Sequence, residues 1–127
     1  MSIVKMSTAA LIALAASAAP AGAQSWPTRP VTMVVPFAAG GSSDAIARIL
    51  AEGLRGELGQ PVLVENVGGA GGMTGAGRVA KAAPDGYQFV LGNVGTHALN
   101  QTLYKRPLYN AVTDFERSCW SPISRSC

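Results

Sequence analysis

One stretch of the sequence, residues 31–44, does most to limit the folds available to this chain. It begins with Val31–Val35, an apolar and mostly β-branched run that is typical of a strand buried on both faces of a parallel sheet. Pro36 has no backbone N–H to give to a sheet, so the strand should end at about that residue. The sequence therefore predicts a buried parallel strand near the start of the fold.

The same stretch then turns through two glycines into a helix. Gly40 and Gly41 allow the backbone angles of a sharp turn. Ser42 or Ser43 is expected to cap the helix, with Asp44 in its first turn. Such a loop leaves several backbone N–H groups free at the start of the helix, which favours the binding of an anion. In open α/β sheets, ligands bind at this carboxyl end of the strands.

The pattern of a strand followed by a helix recurs twice more along the chain. Further strands are predicted at 61–65 and 87–91, and helices at 44–58, 73–82 and 98–104. The order β-α-β-α-β-α predicts an α/β fold, a parallel sheet flanked by helices with right-handed crossovers. The first helix should end at Gly59 and turn its charged residues to solvent. Its predicted sheet-facing stripe consists of Ile46, Ile49, Leu50, Leu54 and Leu58.

Two later loops also follow predicted strands. The glycine-rich turn 66–72 lacks the spacing of a dinucleotide fingerprint and the Gly-Lys-Ser/Thr of a phosphate-binding loop, so it is either a close-packed turn or a surface that faces a ligand. The loop 92–97 brings Asn93, Thr96 and the only histidine, His97, to the end of the third strand. The position of His97 suits a ligand contact, and a purely structural role is the alternative.

The N-terminus has the pattern of a secretory signal. Lys5 precedes the apolar run 9–19, and the small residues 21–23 form a cleavage site. An uncleaved membrane anchor is the alternative, but the apolar run is short for a bilayer span. Residues 1–23 are therefore predicted to be a cleaved signal peptide that directs the protein to the periplasm.

The charges argue against nucleic acid as a partner. Of the 10 Lys and Arg residues, Lys5 lies in the leader and Arg117 and Arg125 lie near the C-terminus; the other seven balance the 7 acidic residues between positions 24 and 116. A neutral body without a basic cluster does not bind nucleic acid well. The sequence also lacks a nucleophile–base pair and a cluster of metal ligands, so we predict no catalytic residues, no metal and no cofactor.

Short segments spread over residues 26–116 resemble the substrate-binding receptors of tripartite tricarboxylate transporters, the Bug family. The matching segments are Trp26–Val31, Val34–Asp44, Leu58–Asn66, Gly69–Gly72, Ala80–Tyr87, Leu91–Gly92, Gly95–His97, Leu103–Lys105 and Asp114–Phe115. The resemblance implies an exported receptor, not an enzyme, with two α/β domains like those of type II periplasmic binding proteins. Such a receptor closes on a small carboxylate, an organic acid or an amino acid, and serves membrane transporter subunits.

The same resemblance implies a ligand site made from two loops of one domain. The first loop would give backbone N–H groups to the ligand carboxylate, partly through water, and the second would add a further contact. Asp44 matches the acidic position at the start of the family's helix. The implied site residues are Phe37, Ala38, Ala39, Gly40, Gly41, Ser42 and Asp44 from the first loop, and Gly95, Thr96 and His97 from the second.

Two features depart from the family. A two-domain receptor needs about twice as many residues or more, so residues 24–116 are expected to form only part of a first α/β domain, a truncated remnant with marginal stability and impaired binding. Residues 117–127 do not resemble the family. Plausible codons for them, reread with one added base, give an apolar strand of the family's kind, so we interpret this tail as a frameshift product. Cys119 and Cys127 both lie in it, and they either form a disulfide or have no role.

Two other classes of function remain as alternatives at this point. A small α/β hydrolase-like enzyme would use His97 with Asp44 or Asp85, and it would need one of these carboxylates within hydrogen-bond reach of the imidazole. A nucleotide-binding module would need an acidic residue at the end of the second strand, where Glu65 stands, but the glycine pattern beside Glu65 does not fit.

Overall fold

The computed structural model describes residues 25–117, which form a three-stranded parallel sheet flanked by helices. The strands are β1 (Val31–Val35), β2 (Val62–Asn66) and β3 (Gln88–Val90), in the spatial order β2-β1-β3. The helices are α1 (Ser42–Leu58), α2 (Met73–Ala80) and α3 (Asn100–Leu103), and a π-helical turn, Gly95–Leu99, leads into α3. The predicted α/β class and the parallel sheet are confirmed.

The central strand, β1, pairs with a neighbour on each side. Met33, for example, lies in register with Val64 of β2 and with Phe89 of β3. Because right-handed crossovers run from β1 to β2 and then back to β3, α1 and α2 lie on opposite faces of the sheet. Val34 and Val35 are both fully buried, as the apolar run predicts for a strand covered on two faces.

Each face of the sheet has its own apolar cluster. The residues Met33, Val35, Ala47 and Ala51 form the buried centre of the cluster between the sheet and α1. On the other face, Met73 and Ala76 of α2 pack with Tyr109. Strand β3 contributes to both clusters, since Phe89 packs on the first and Val90 on the second. These clusters fix the sheet and thereby the loops at the carboxyl ends of its strands.

The predicted apolar stripe of α1 is only partly right. The leucines at 54 and 58 are partly buried. Ile46, Ile49 and Leu50, however, are 53%, 74% and 43% exposed. The face toward the sheet carries instead the small residues Ala47 and Ala51. Small side chains let the helix approach the sheet closely, so a pattern weighted by the largest apolar residues points to a neighbouring face of the helix.

Two helices start differently from the prediction. The residue that caps α1 is Gly41, without a side-chain hydrogen bond, so the predicted serine cap is wrong. Gly59 does end the helix, with a left-handed φ of 64°. The predicted helix 98–104 is shorter, because the turn Gly95–Leu99 precedes it.

No helix within residues 25–117 combines the length and the apolar content that a membrane span requires. The predicted signal peptide and the two cysteines lie outside the described residues.

Candidate functional site

The loop from Phe37 to Gly41 leaves β1 at its carboxyl end and lies at the protein surface. Ala38, Ala39, Gly40, Gly41 and Ser42 are exposed, whereas Phe37 is half-buried against the first apolar cluster. Among residues 25–117, the backbone N–H groups of Ala38, Ala39 and Gly41 have no hydrogen-bond acceptor. Gly41 caps α1, and Ala38 and Ala39 precede it in the loop, so these N–H groups are available to an external anion beside the start of the helix.

Gly40 differs from its neighbours because its N–H is already used. It donates to Oδ2 of Asp44 at 2.9 Å, and the same oxygen accepts a hydrogen bond from Nε of Arg48 at 3.1 Å. The Gly40 N–H, followed by the Arg48 guanidinium and more weakly the Asn66 amide, holds the pKa of the Asp44 carboxyl below its usual range, although burial acts to raise it. Asp44 is only 4% exposed, so it faces the loop backbone and not open solvent.

A second side chain holds the beginning of this loop. Asn66, the last residue of β2, lies in register with Val35 and donates from Nδ2 to the carbonyl oxygen of Phe37 at 3.2 Å. Asn66 is not among the predicted site residues. The signal that could have found it is a polar residue at the carboxyl end of a strand that pairs with β1.

The second predicted loop is held by a buried threonine. The side chain of Thr96 is fully buried. Its hydroxyl accepts the backbone N–H of Asn93 at 3.0 Å, while its own N–H donates to the Asn93 side-chain oxygen at 3.0 Å. Tyr109 donates its phenolic hydrogen to the carbonyl oxygen of Thr96. These bonds fix the turn at Gly95–Leu99, which explains why a polar side chain can be buried there.

His97 is half-buried beside two aromatic rings. Its Nδ1 lies 2.8 Å from Oγ1 of Thr96, and its ring centroid lies 4.9 Å from that of Phe115 and 6.4 Å from that of Tyr109. Burial lowers the pKa of the imidazole, which favours its neutral form. Because Thr96 can donate its single hydroxyl hydrogen to the carbonyl of Asn93, His97 can donate from Nδ1, which leaves Nε2 as an acceptor.

The pairing that a hydrolase-like site would need is not formed in the described part of the chain. No hydrogen bond joins His97 to a carboxylate there: Asp44 bonds to Gly40 and Arg48, and Asp85 bonds to Arg29 at 3.1 Å. Among residues 25–117 there is also no group of three His, Cys, Asp or Glu residues placed to hold a metal ion.

The glycine-rich turn lies between the two loops and packs against both. A Cβ built on Gly72, where φ is 88°, would stand 2.7 Å from the methyl group of Thr96 and 3.3 Å from Cβ of Pro36. A Cβ on Gly68 would stand 3.7 Å from the backbone nitrogen of Ala38. Of the two interpretations of this turn, the close-packed one therefore describes these glycines, which allow three segments to meet at one end of the sheet.

The structure thus places both predicted loops at the carboxyl end of the sheet. Residues 38–41 are exposed, and the side chains of Asp44 and Thr96 are buried. Contact of any of these residues with a ligand stays a prediction.

The sequence and the fold of this chain are similar to those of known proteins. Residues 46–125 match the model of the tripartite tricarboxylate transporter family receptor. A UPF0065 protein of Agrobacterium vitis, from the TAR-I ttuE-ttuC' intergenic region, is 52% identical over 91 residues, which are 72% of this chain and 26% of that protein. The structure of the periplasmic binding protein BugD matches with a TM-score of 0.70 and 54% identity, over 72% of this chain and 30% of BugD. MatC from Rhodopseudomonas palustris with bound malate matches with a TM-score of 0.69 and 46% identity, over 71% of this chain and 31% of MatC.

These matches define both the family and the extent of the likeness. The chain spans about a quarter to a third of the length of the proteins it matches. The family match ends at residue 125, inside the segment 117–127 that is predicted above to be unlike the family. The family consists of receptors and not of enzymes. Because its model matches more than half of the sequence, the chain belongs to the tripartite tricarboxylate transporter receptor family.

Proposed function

We propose that the chain provides one wall of the ligand site of an extracytoplasmic receptor, which captures a small carboxylate for a tripartite tricarboxylate-type transporter. The observation that carries this proposal is the exposed loop after β1, where the N–H groups of Ala38, Ala39 and Gly41 have no acceptor among the described residues. N–H groups at the start of a helix suit a carboxylate, and MatC, a structural neighbour, binds malate.

The two loops would contribute different groups to the ligand. The loop of residues 37–42 would give backbone N–H groups, apart from that of Gly40, which Asp44 already accepts. In the second loop, Thr96 and Nδ1 of His97 bond to each other. A direct contact from that loop to a carboxylate would therefore come from the backbone N–H of Gly95, whereas Nε2 of His97 is an acceptor and would bind a donor such as the hydroxyl group of malate.

We also propose that the receptor is periplasmic after removal of residues 1–23 and that it delivers its ligand to membrane subunits. Family membership and the signal-like leader support this location. Cell fractionation of the expressed chain, with N-terminal sequencing of the exported form, tests it. Recovery of a chain that starts at Gln24 in the periplasmic fraction is the expected result, and retention of the leader in the membrane fraction would contradict it.

Binding by this polypeptide on its own is expected to be weak. The proteins it matches are about three times as long, and a ligand held by one wall keeps much of its surface in water. We expect a dissociation constant of about 1 mM or weaker, which is still measurable by NMR titration.

The experiment that tests the proposed function is a titration of the ¹⁵N-labelled chain with malate. We expect the amide resonances of Ala38, Ala39 and Gly41 to shift, while those of α2 stay in place. Dimethyl malate is the matched control, because it keeps the carbon skeleton but has no carboxylate. Equal shifts with both compounds, or no shift with either, would contradict carboxylate capture by this loop.

A further inference from the structure

Asp44 is a buried carboxylate with an unusual set of partners. Its side chain is 6% exposed, although the paired side chain of Arg48 is 59% exposed. Oδ2 receives both the Gly40 N–H and Nε of Arg48, whereas Oδ1 is buried and has no hydrogen-bond partner among residues 25–117. Burying a carboxylate is unfavourable unless its bonds compensate the loss of water. A helix cap would not need this burial, because a surface serine would serve as well.

Asn66 acts on the same loop from a different element. It ends β2, and its Nδ2 donates to the carbonyl oxygen of Phe37. Asn66 and Asp44 therefore bond to the backbone of the same loop from two different elements. The chain between the held groups is short, since only Ala38 and Ala39 lie between Phe37 and Gly40, and both are exposed.

We propose that Asp44 and Asn66 are positioning residues that hold the two ends of the carboxylate-binding loop and do not themselves contact the ligand. Asp44 holds the end at Gly40, where the φ of 82° brings the N–H back toward the helix. Asn66 holds the end at Phe37. With both ends fixed, the N–H groups between them are ordered before the ligand arrives, and less conformational entropy is lost on binding. This inference rests on the proposed function, because it deepens the same site.

The test uses the whole expressed chain in four variants and two readouts. Asp44→Ala and Asn66→Ala each remove one anchor. Asp44→Asn keeps an oxygen that can accept the Gly40 N–H. Glu52→Gln is the control, since this carboxylate lies on the same helix with 78% of its side chain exposed. The readouts are the amide exchange rates of Gly40 and of β1, and the affinity for malate from the NMR titration.

We expect Asp44→Ala to speed exchange at the Gly40 N–H at least tenfold while the β1 amides stay protected. Loss of one hydrogen bond that orders the loop should weaken malate binding about tenfold. Asn66→Ala should weaken it to a similar extent without exposing the Gly40 N–H. The effect of Asp44→Asn should be smaller than that of Asp44→Ala, and Glu52→Gln should leave both readouts unchanged.

Several results would overturn the proposal. Unchanged exchange at Gly40 in Asp44→Ala, or unchanged malate affinity in both alanine variants, would show that the loop needs neither anchor. Loss of β1 protection in both variants would indicate a general folding role instead. If the unsubstituted chain does not respond to malate, the proposed function fails, and the exchange rates at Gly40 still decide whether Asp44 fixes the loop.

Discussion

Replacing a helical glycine by alanine is expected to have opposite effects on the stability of this chain at two positions. A Cβ added to Gly53, in α1, would have no atom within 4 Å. A Cβ added to Gly75, in α2, would stand 2.5 Å from the carbonyl oxygen of Val67 and 3.0 Å from Cα of Pro36. Both contacts at position 75 are with backbone atoms, which cannot rotate away as the end of a side chain can. We therefore expect Gly53→Ala to stabilise the protein and Gly75→Ala to destabilise it.

The magnitudes follow from two opposing contributions. Replacing glycine by alanine inside a helix gains about 0.5–1 kcal/mol of unfolding free energy through backbone entropy and helix propensity. At position 53 nothing opposes this gain. At position 75 the added methyl group overfills a packed site, which costs about 1–3 kcal/mol, and the upper end applies because the backbone itself must move. The net expectation for Gly75→Ala is a loss of about 2 kcal/mol.

Thermal unfolding followed by circular dichroism measures the difference. For a domain of this size, 1 kcal/mol corresponds to about 4–8 °C in Tm, so Tm should rise by a few degrees in Gly53→Ala and fall by about 8–16 °C in Gly75→Ala. Urea unfolding under the same conditions should give the same order of stability. A Gly75→Ala chain as stable as the unsubstituted one would refute the close approach of α2 to Pro36. A fall in Tm for Gly53→Ala would refute the argument from open space.

Three further predictions concern polar groups. Thr96→Val should lower the unfolding free energy by about 1 kcal/mol in urea titrations because it removes the buried hydroxyl that accepts the Asn93 N–H, whereas Thr96→Ser keeps this hydroxyl and should cost less. Glu65 and Arg78 form an ion pair with both N–O distances at 2.6 Å, but their side chains are 49% and 40% exposed. A double-mutant cycle should therefore give a coupling free energy of at most about 1 kcal/mol, and this coupling should become smaller in 1 M NaCl. Hydrogen bonds lower the pKa of Asp44 in the folded protein. The ionised carboxylate therefore stabilises the fold above the ordinary carboxyl pKa of about 4, and this stabilisation is lost as pH falls through the lower folded-state pKa. The unfolding free energy of Asp44→Asn should decline less between about pH 5 and pH 2 than that of the unsubstituted chain, and an equal decline would contradict this.

The features that could be predicted from the sequence are those set by local backbone chemistry. The apolar run of β1, the turn at Gly40 and the end of α1 at Gly59 stand where the sequence indicates, because each depends on residues that are neighbours in the chain. The carboxyl ends of β1 and β3 then meet at one edge, since parallel strands require it. This much was enough to predict which loops share the candidate site.

The remainder depends on contacts between distant residues. The face of α1 toward the sheet carries Ala47 and Ala51, since the distance between helix and sheet is set by both elements and not by the helix alone. The surroundings of His97 come from Tyr109 and Phe115, more than ten positions further along the chain. Leu103, an apolar residue of α3, is 71% exposed. Periodicity within one element contains no information about such contacts.

The carboxyl end of β1 joins the stability of the fold to its proposed binding function. Pro36 is fully buried, and the close contacts that glycines at 72 and 75 allow hold it in place. The ligand loop starts at the next residue, Phe37, so any shift of Pro36 moves the N–H groups of Ala38 and Ala39. Gly75→Ala should therefore weaken the malate response of those two amides as well as lower Tm, whereas Gly53→Ala should change only stability. A Gly75→Ala chain that keeps its full malate response, despite a lower Tm, would show that the loop is positioned by Asp44 and Asn66 alone.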